Sequence, residues 1–270
     1  MCRVLDVSAS GYHSWRRRPP STRRQEDALL QQRIQGIHVR TKGRYGAPRI
    51  HAELRAEGVR VSRKRVTRLI RASRLSGKGK RHWVRTTDSE HVLPVSLNLL
   101  ERQFHVHHPN QVWASDITYL PTREGWLYLA VTLDLHSRAV VGYAMEAHMH
   151  ASLPLAALQM AASRRDPPPG LLHHSDRGSQ YASRIFQEAL ARLRAKESMS
   201  RKGDCWDNAV VESFFSSLKR ELFEDNIFEN RMVARQAIFE YIEVFYNRQR
   251  RHSTLGYLTP HEFERQAKAA

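Results

Sequence analysis

The chain has 270 residues, 41% of them hydrophobic, enough for one substantial core and a small accessory domain. Its 44 Lys and Arg against 27 Asp and Glu leave a formal charge of +17. That balance favours a polyanionic partner, nucleic acid first, and decides nothing about fold. The two cysteines exclude a disulfide framework or a cysteine zinc site, no apolar run reaches membrane-spanning length, and no Gly-rich Walker loop supports nucleotide hydrolysis. Met1–Asp6 lacks the apolar core of a signal peptide, so a cytoplasmic location and no membrane partner are expected.

Residues 1–22 read as a basic N-terminal segment that Pro19-Pro20 closes. A helix is expected from about Arg24 to Val39, with Leu29, Leu30, Ile34 and Ile37 on its apolar face. A second runs from Ala47 to Glu57 and ends at Gly58. Ser62 then caps a third, reaching about Arg74, with Val66, Leu69 and Ile70 inward. Lys64, Arg68 and Arg71 share another face of that helix, and Arg65 lies beside them. Two short helices, a tight turn and a basic face describe a helix-turn-helix over 23–80. From Arg60 to Arg85 there are eleven Lys or Arg and no acid, so DNA contact is expected, mostly with phosphates. The competing reading is a solvated basic helix pair. Residues 81–108 read as a linker.

A different pattern occupies 109–225. Strands are expected at Val112–Tyr119, Trp126–Leu133 and Ser137–Met145, the first two joined by a turn over Pro121–Gly125. A helix follows over Ser152–Arg164, with Leu153, Ala156, Ala157 and Met160 inward, then a short buried strand at Gly170–Ser175. Next come a helix at Arg184–Leu193 and an edge strand at Ser198–Ser200. An antiparallel meander followed by alternating strands and helices predicts an α/β mixed sheet with flanking helices. Asp207 is placed to cap a helix running to about Phe223, with Val211, Phe215, Leu218 and Leu222 on one stripe. On the same wheel Glu212 lies at the rim of that stripe, and Lys219 falls within about 40° of it. Residues 226–270 read as a helical extension. Its helix over Asn230–Asn247 turns Ala234, Ile238, Tyr241 and Phe245 inward, and a basic tip carries Arg248, Arg250 and Arg251. Thr259–Glu262 forms a capping box with Pro260 at the first helical position.

Three acids stand out. Asp116 lies on the first strand of the meander, Asp176 ends a buried strand, and Glu212 sits on a helix between Val210-Val211 and Phe214-Phe215. Thirty-five residues separate the last two. Phosphodiester cleavage needs an activated oxygen nucleophile and a stabilised leaving oxygen, and two Mg²⁺ ions about 3.5–4 Å apart supply both. Hard carboxylate oxygens on rigid elements suit that metal. We therefore expect Asp116, Asp176 and Glu212 to hold Mg²⁺ or Mn²⁺, two ions, for strand-transfer chemistry on DNA, with Lys219 positioning the DNA. Each acid has a plainer alternative: a strand-end cap, a turn residue and a snorkelling side chain. Asp134 reads better as a turn residue, Asp207 as a helix cap, and Asp204 is a further competitor. His173-His174 has no ligand partner at zinc spacing.

The segments Trp113-x-x-Asp116-Ile117-Thr118-Tyr119, His174-Ser175-Asp176-Arg177-Gly178-Ser179-Gln180-Tyr181 and Asp207-Asn208-Ala209-x-x-Glu212-Ser213-Phe214-Phe215 closely resemble the signatures of retroviral-integrase-like DDE transposases. The resemblance is closest to the OrfB proteins of the third bacterial insertion-sequence family. Tyr246-Asn247-x-x-Arg250-x-His252-Ser253-Thr254-Leu255-Gly256-Tyr257-x-Thr259-Pro260 looks like that family's C-terminal signature, and Gly43–Ile50 like the entry to its helix-turn-helix. The resemblance implies an RNase H-like core with Asp116, Asp176 and Glu212 as metal-binding triad, and a DNA-directed cation at Lys219. It also implies cleavage at the element's 3′ ends, followed by attack of the 3′-OH on another phosphodiester. The partners implied are double-stranded DNA (terminal repeats and target), further copies of the chain in a multimer on that DNA, and an upstream OrfA-type protein. Two other readings compete: a DNA-binding regulator or inactive transposase remnant, and a structure-specific nuclease on the same fold.

Overall fold

The computed structural model describes residues 2, 4–78, 95–201, 205–223 and 227–269. The chain divides into two compact units, Met1–Lys78 and Gly79–Ala270. Part of the expected linker (residues 81–94) and Asp204 fall outside the described residues.

The first unit is all helical: α1 (Ala9–Arg17), α2 (Thr22–Arg40), α3 (Ala47–Ala56) and α4 (Arg63–Ala72). Helix α1 stops just before Pro19-Pro20, as the missing N–H groups require. Helix α2 buries Leu30, Ile34 and Ile37, but Leu29 is exposed, so the apolar face is narrower than expected. Gly58, at φ +79°, gives α3 its left-handed exit, and the Ser62 hydroxyl accepts the Arg65 N–H to start α4. Val66, Leu69 and Ile70 face inward against Ile50 and Leu54 of α3, all within the unit's core.

The second unit is built on a five-stranded sheet in the order β3-β2-β1-β4-β5. Strands β1 (Val112–Thr122), β2 (Gly125–Asp134) and β3 (Val140–Glu146) form the expected antiparallel meander. Pro121 and Thr122 belong to β1 rather than to the turn, which shrinks to Arg123-Glu124. Helix α5 (Ser152–Arg165) leads to β4 (Leu172–Ser175), which pairs parallel with β1 from Val112↔Leu172 to Ala114↔His174. Helix α6 (Arg184–Arg192) leads to β5 (Lys196–Met199), parallel to β4. Helix α5 buries Leu153, Pro154, Ala157, Leu158 and Ala161, whereas Ala156 is exposed and Met160 half-buried. Its buried face is therefore rotated from the expected one. Gly142 allows that approach, since a Cβ there would collide with the Ala157 carbonyl and the Ala161 backbone.

Three expectations change in this unit. The described part of the linker packs along β5: Leu100 is buried, and the Leu99 and Leu100 N–H groups donate to the Ser198 hydroxyl at 2.9 and 3.2 Å. Asp207 is not a helix cap. Helix α7 (Ala209–Leu218) starts at Asn208 without a side-chain cap. The buried Asp207 carboxylate instead accepts from Asn98, Arg102 and Arg201. Burial pushes that carboxyl up, but the Arg201 side-chain and backbone hydrogen bonds, with help from Arg102, outweigh it and hold Asp207 well below the usual range.

Residues 226–270, read as a helical extension, fall within this unit. Helix α8 (Arg231–Phe239) continues as a π-helical stretch, Glu240–Tyr246, and α9 (Pro260–Ala269) begins with the expected capping box. The Asn247 amide accepts from the Val140 N–H and donates to its carbonyl, both at 3.0 Å, and so completes the edge of β3. Glu264 is buried against Ser137 and bidentate with Arg165 at 2.8 and 2.9 Å.

Helix α7 also ends in a π-helical turn, Lys219–Phe223, which shifts the helical phase. Glu221 is thereby buried where an α-helical wheel favours Leu222, which is only half-buried. Glu221 meets Arg250, whose guanidinium donates to it at 2.8 Å and to Ser217 at 3.0 Å, while the Tyr241 hydroxyl donates to the same carboxylate at 2.9 Å. Removing one partner leaves the other charge buried and alone. Arg250→Ala is expected to cost about 3–5 kcal/mol in urea unfolding, and Glu221→Leu combined with Arg250→Met to recover most of that loss.

Candidate functional site

Asp116 sits mid-way along β1, opposite Val131 of β2, two residues beyond the last pairing with β4. Asp176 follows Ser175, the last residue of β4. Both acids therefore occupy the crevice beyond the carboxyl end of β4, beside the central strand, where open sheets place ligands. The Asp116 Oδ1 accepts the Ile117 N–H at 2.8 Å, and the Asp176 Oδ1 accepts the Gly178 N–H at 2.9 Å. A Cβ at Gly178 would stand 3.0 Å from that Asp176 oxygen, so glycine keeps the turn tight around the carboxylate. Asp176 is thus a turn residue as well as a site residue.

Glu212 lies in the first turn of α7 and is exposed. The start of α7 is tied to the sheet by Asn208, whose amide donates to the Ser115 carbonyl at 3.1 Å, beside Asp116. Asn208 escaped the sequence reading. It was named only within the Asp207–Phe215 segment, with no role of its own.

Electrostatics link the three acids. Burial pushes the Asp116 carboxyl well above the usual range, the Asp176 charge adds to this, and Glu212 adds further. The Ile117 N–H and the Lys219 ammonium oppose the shift. Lys219 is nearly buried; burial lowers its pKa, and the Asp116 charge pulls it back up. Its ammonium stands over the Tyr119 ring, 5.1 Å from the centroid. The arrangement gathers negative charge around a half-buried Asp116, with the Lys219 cation opposing it. Among the described residues no three His, Cys, Asp or Glu side chains form a ready-made cage. An ion that keeps several waters and takes one or two carboxylates does not require one. The donor set of hard oxygens fits Mg²⁺ or Mn²⁺.

The histidine pair supports the strands beneath. His173 Nε2 meets the Ser115 hydroxyl at 2.8 Å, and that hydroxyl meets Thr132 at 2.9 Å. His174 spans Ser198 and Ser200 at 2.8 and 3.1 Å. Burial, and for His173 the neighbouring His174, lowers both pKa values, to about 3 for His173 and about 4 for His174.

The expected DNA-contact residues divide. Lys64 and Arg71 are exposed on α4. Arg65 and Arg68 instead bind Asp27 of α2 at 2.7 and 2.6 Å, and Arg65 also reaches Glu26 at 3.0 Å. Arg248 is exposed, whereas Arg251 is half-buried and donates to the Tyr257 carbonyl at 2.9 Å. Arg250 does not belong to a basic surface tip: its side chain is 4% exposed and committed to Glu221.

A mixed five-stranded sheet with flanking helices, carrying candidate acids on β1, just past β4 and on α7, has the architecture of an integrase-type core. A chain of the simian T-cell lymphotropic virus intasome, in complex with a PP2A regulatory subunit, shares the fold at TM-score 0.50 and 18% identity, over 86% of this chain and 74% of that one. Residues 106–205 and 212–267 match integrase core domain families, and 24–83 match an HTH-like domain. The Escherichia coli K12 transposase InsF of insertion sequence IS3A is 48% identical over 98% of this chain and 92% of its own length. A 31 kDa protein of insertion element IS600 from Shigella sonnei is 48% identical over 97% of both chains. The chain belongs to the IS3-type insertion-sequence transposases, and its enzyme class is that of the polynucleotidyl transferases.

His173 gives a pH signature. Its proton is taken up only on unfolding, so its contribution to stability is complete above about pH 6.5 and falls as acid approaches its folded pKa of about 3. Urea unfolding between pH 7 and 5 is expected to lose about 1.4 kcal/mol per pH unit below 6.5 from this group, and His173→Gln to flatten that slope.

Proposed function

We propose that this transposase cuts and joins DNA with Asp116, Asp176 and Glu212 as its metal-binding triad. The observation that carries the reading is the placement of Asp116 on β1, Asp176 just past the end of the adjacent β4, and Glu212 in the first turn of α7, which Asn208 ties to β1 beside Asp116. The residues fit Mg²⁺ or Mn²⁺, two ions in our reading, which when bound polarise the scissile phosphate and lower the pKa of a nucleophilic water.

The chain's own side chains do the rest. Asp116 on the central strand and Asp176 just past the end of β4, each fixed by a backbone N–H bond, set the reacting phosphate against the sheet. Glu212 closes the site from the opposite side on a helix that Asn208 anchors to β1. Lys219 neutralises a phosphate of the bound strand. Water frees a 3′-OH at an element end, and that hydroxyl then attacks a target phosphodiester. The departing 3′ oxygen of the target takes up a proton, and no covalent protein intermediate is required.

The helical unit carries the duplex contacts. Lys64 and Arg71 meet phosphates directly, Arg248 and Arg251 extend the basic surface of the core, and Arg65 and Arg68 brace α4 through Asp27. The partners in this reading are the element's terminal repeats, target DNA, further copies of the chain and an upstream OrfA-type protein. The reaction takes place in the cytoplasm, at the nucleoid. No helix among the described residues is long and apolar enough to cross a membrane.

Purified protein incubated with Mg²⁺ and DNA bearing its own terminal repeats is expected to release 3′-ended products. Asp116→Asn, Asp176→Asn and Glu212→Gln each abolish them, with DNA affinity changed less than about threefold. A variant that still cleaves normally removes that acid from the triad. Binding without any Mg²⁺ or Mn²⁺-dependent cleavage by the unaltered chain supports a regulator or remnant instead. Lys64→Ala and Arg71→Ala are each expected to reduce the slope of log affinity against log salt by about one. Unchanged slopes for both refute α4 as the phosphate-contacting helix.

A further inference from the structure

The proposed DNA lysine is unusual in its setting. Lys219 is 9% exposed at the first position of the π-helical turn, where α7 has just ended. A four-carbon chain of this kind ordinarily keeps its ammonium in water and samples many rotamers. Here the ammonium stands 5.1 Å from the centroid of the Tyr119 ring. Tyr119 lies on β1 three residues after Asp116, and the Trp126 ring packs against it at 4.8 Å with the planes nearly perpendicular, at 87°. Tyr119 pairs with Tyr128 and Pro121 with Trp126, so both rings belong to the same hairpin and are held by its register. Trp126 is 49% exposed.

The electrostatics of a ring face suit this task. Its quadrupole attracts a cation strongly once water is excluded. Unlike a carboxylate, it neither neutralises the cation nor takes up its N–H donors. A lysine held by an aromatic face is therefore restricted in position by a contact that does not itself neutralise its charge.

We propose that Tyr119, buttressed by Trp126, is a positioning residue that holds the Lys219 ammonium against β1 to receive a backbone phosphate of the DNA strand being cut. The inference rests on the role proposed above for Lys219 and adds a residue on β1 to it. It also gives the hairpin β1–β2 a task in substrate binding, because the ring that aims the cation belongs to the strand that carries the first acid.

The test measures DNA affinity across a salt series, and Mg²⁺-dependent cleavage, for the full chain with terminal-repeat DNA. Tyr119→Leu is expected to lower affinity about tenfold and flatten the salt slope towards that of Lys219→Ala. Tyr119→Phe keeps the ring and restores both to within about twofold. In the Lys219→Ala background, Tyr119→Leu adds less than about twofold, because the group it positions is gone. Tyr119→Met runs the same comparison should the leucine variant fail to fold. Additive effects of the Tyr119 and Lys219 changes, or equal damage from Phe and Leu, overturn the proposal. The affinity series does not depend on turnover. A chain without cleavage would sink the proposed reaction while leaving this coupling to be read on its own.

Discussion

Arg250 and Glu221 form the interaction on which the geometry of the core depends. Their side chains are 4% and 1% exposed, and Tyr241 and Ser217 complete the hydrogen bonding. The pair ties the π-helical turn ending α7 to the segment just past the π-helical stretch that extends α8, and Tyr241 bonds Glu221 from within that stretch. Isolated buried ion pairs seldom add net stability, because desolvation offsets the attraction. What this one does fix is phase. It permits only the helical register that turns Glu221 inward, and that same turn sets the direction of Lys219. Glu212 lies on the α-helical part of the rod whose far end is clamped.

The charge total has to be read with such pairs in mind. Of the 44 Lys and Arg, several do structural work. Arg65 and Arg68 hold α4 to Asp27, Arg102 and Arg201 neutralise the buried Asp207, Arg165 holds Glu264, and Arg250 holds Glu221. A surface built for DNA and an interior stitched by guanidinium groups draw on the same residue type. Composition therefore points to the partner class without saying which cations meet it.

Much of the architecture could be read in advance because its signals are local. The Ser62 cap, the Gly58 exit, the β1–β2–β3 meander and the Thr259–Glu262 capping box each occupy a few consecutive residues. The three candidate acids could be named from sequence as well, since charged residues bordering apolar strand and helix patterns are conspicuous. The failures share the opposite property. Asp207 looked like a cap because its partners Asn98 and Arg102 lie more than a hundred positions away. Arg250 looked like a surface cation because the π turn that buries Glu221 breaks the 100° rule behind any helical wheel. The C-terminal helices looked separable because the Asn247–Val140 and Glu264–Ser137 bonds have no trace in nearby sequence.

The chain order of these parts carries a temporal consequence. The helical unit ends at Lys78 and has a buried core of its own. As the polypeptide leaves the ribosome, amino end first, this unit has all it needs to fold. The carboxylate site does not. Asp116 and Asp176 emerge long before Glu212, and the clamp on Glu212's helix waits for Arg250. A nascent chain thus acquires its helical unit well before the proposed carboxylate site, which is braced only once Arg250 has left the ribosome.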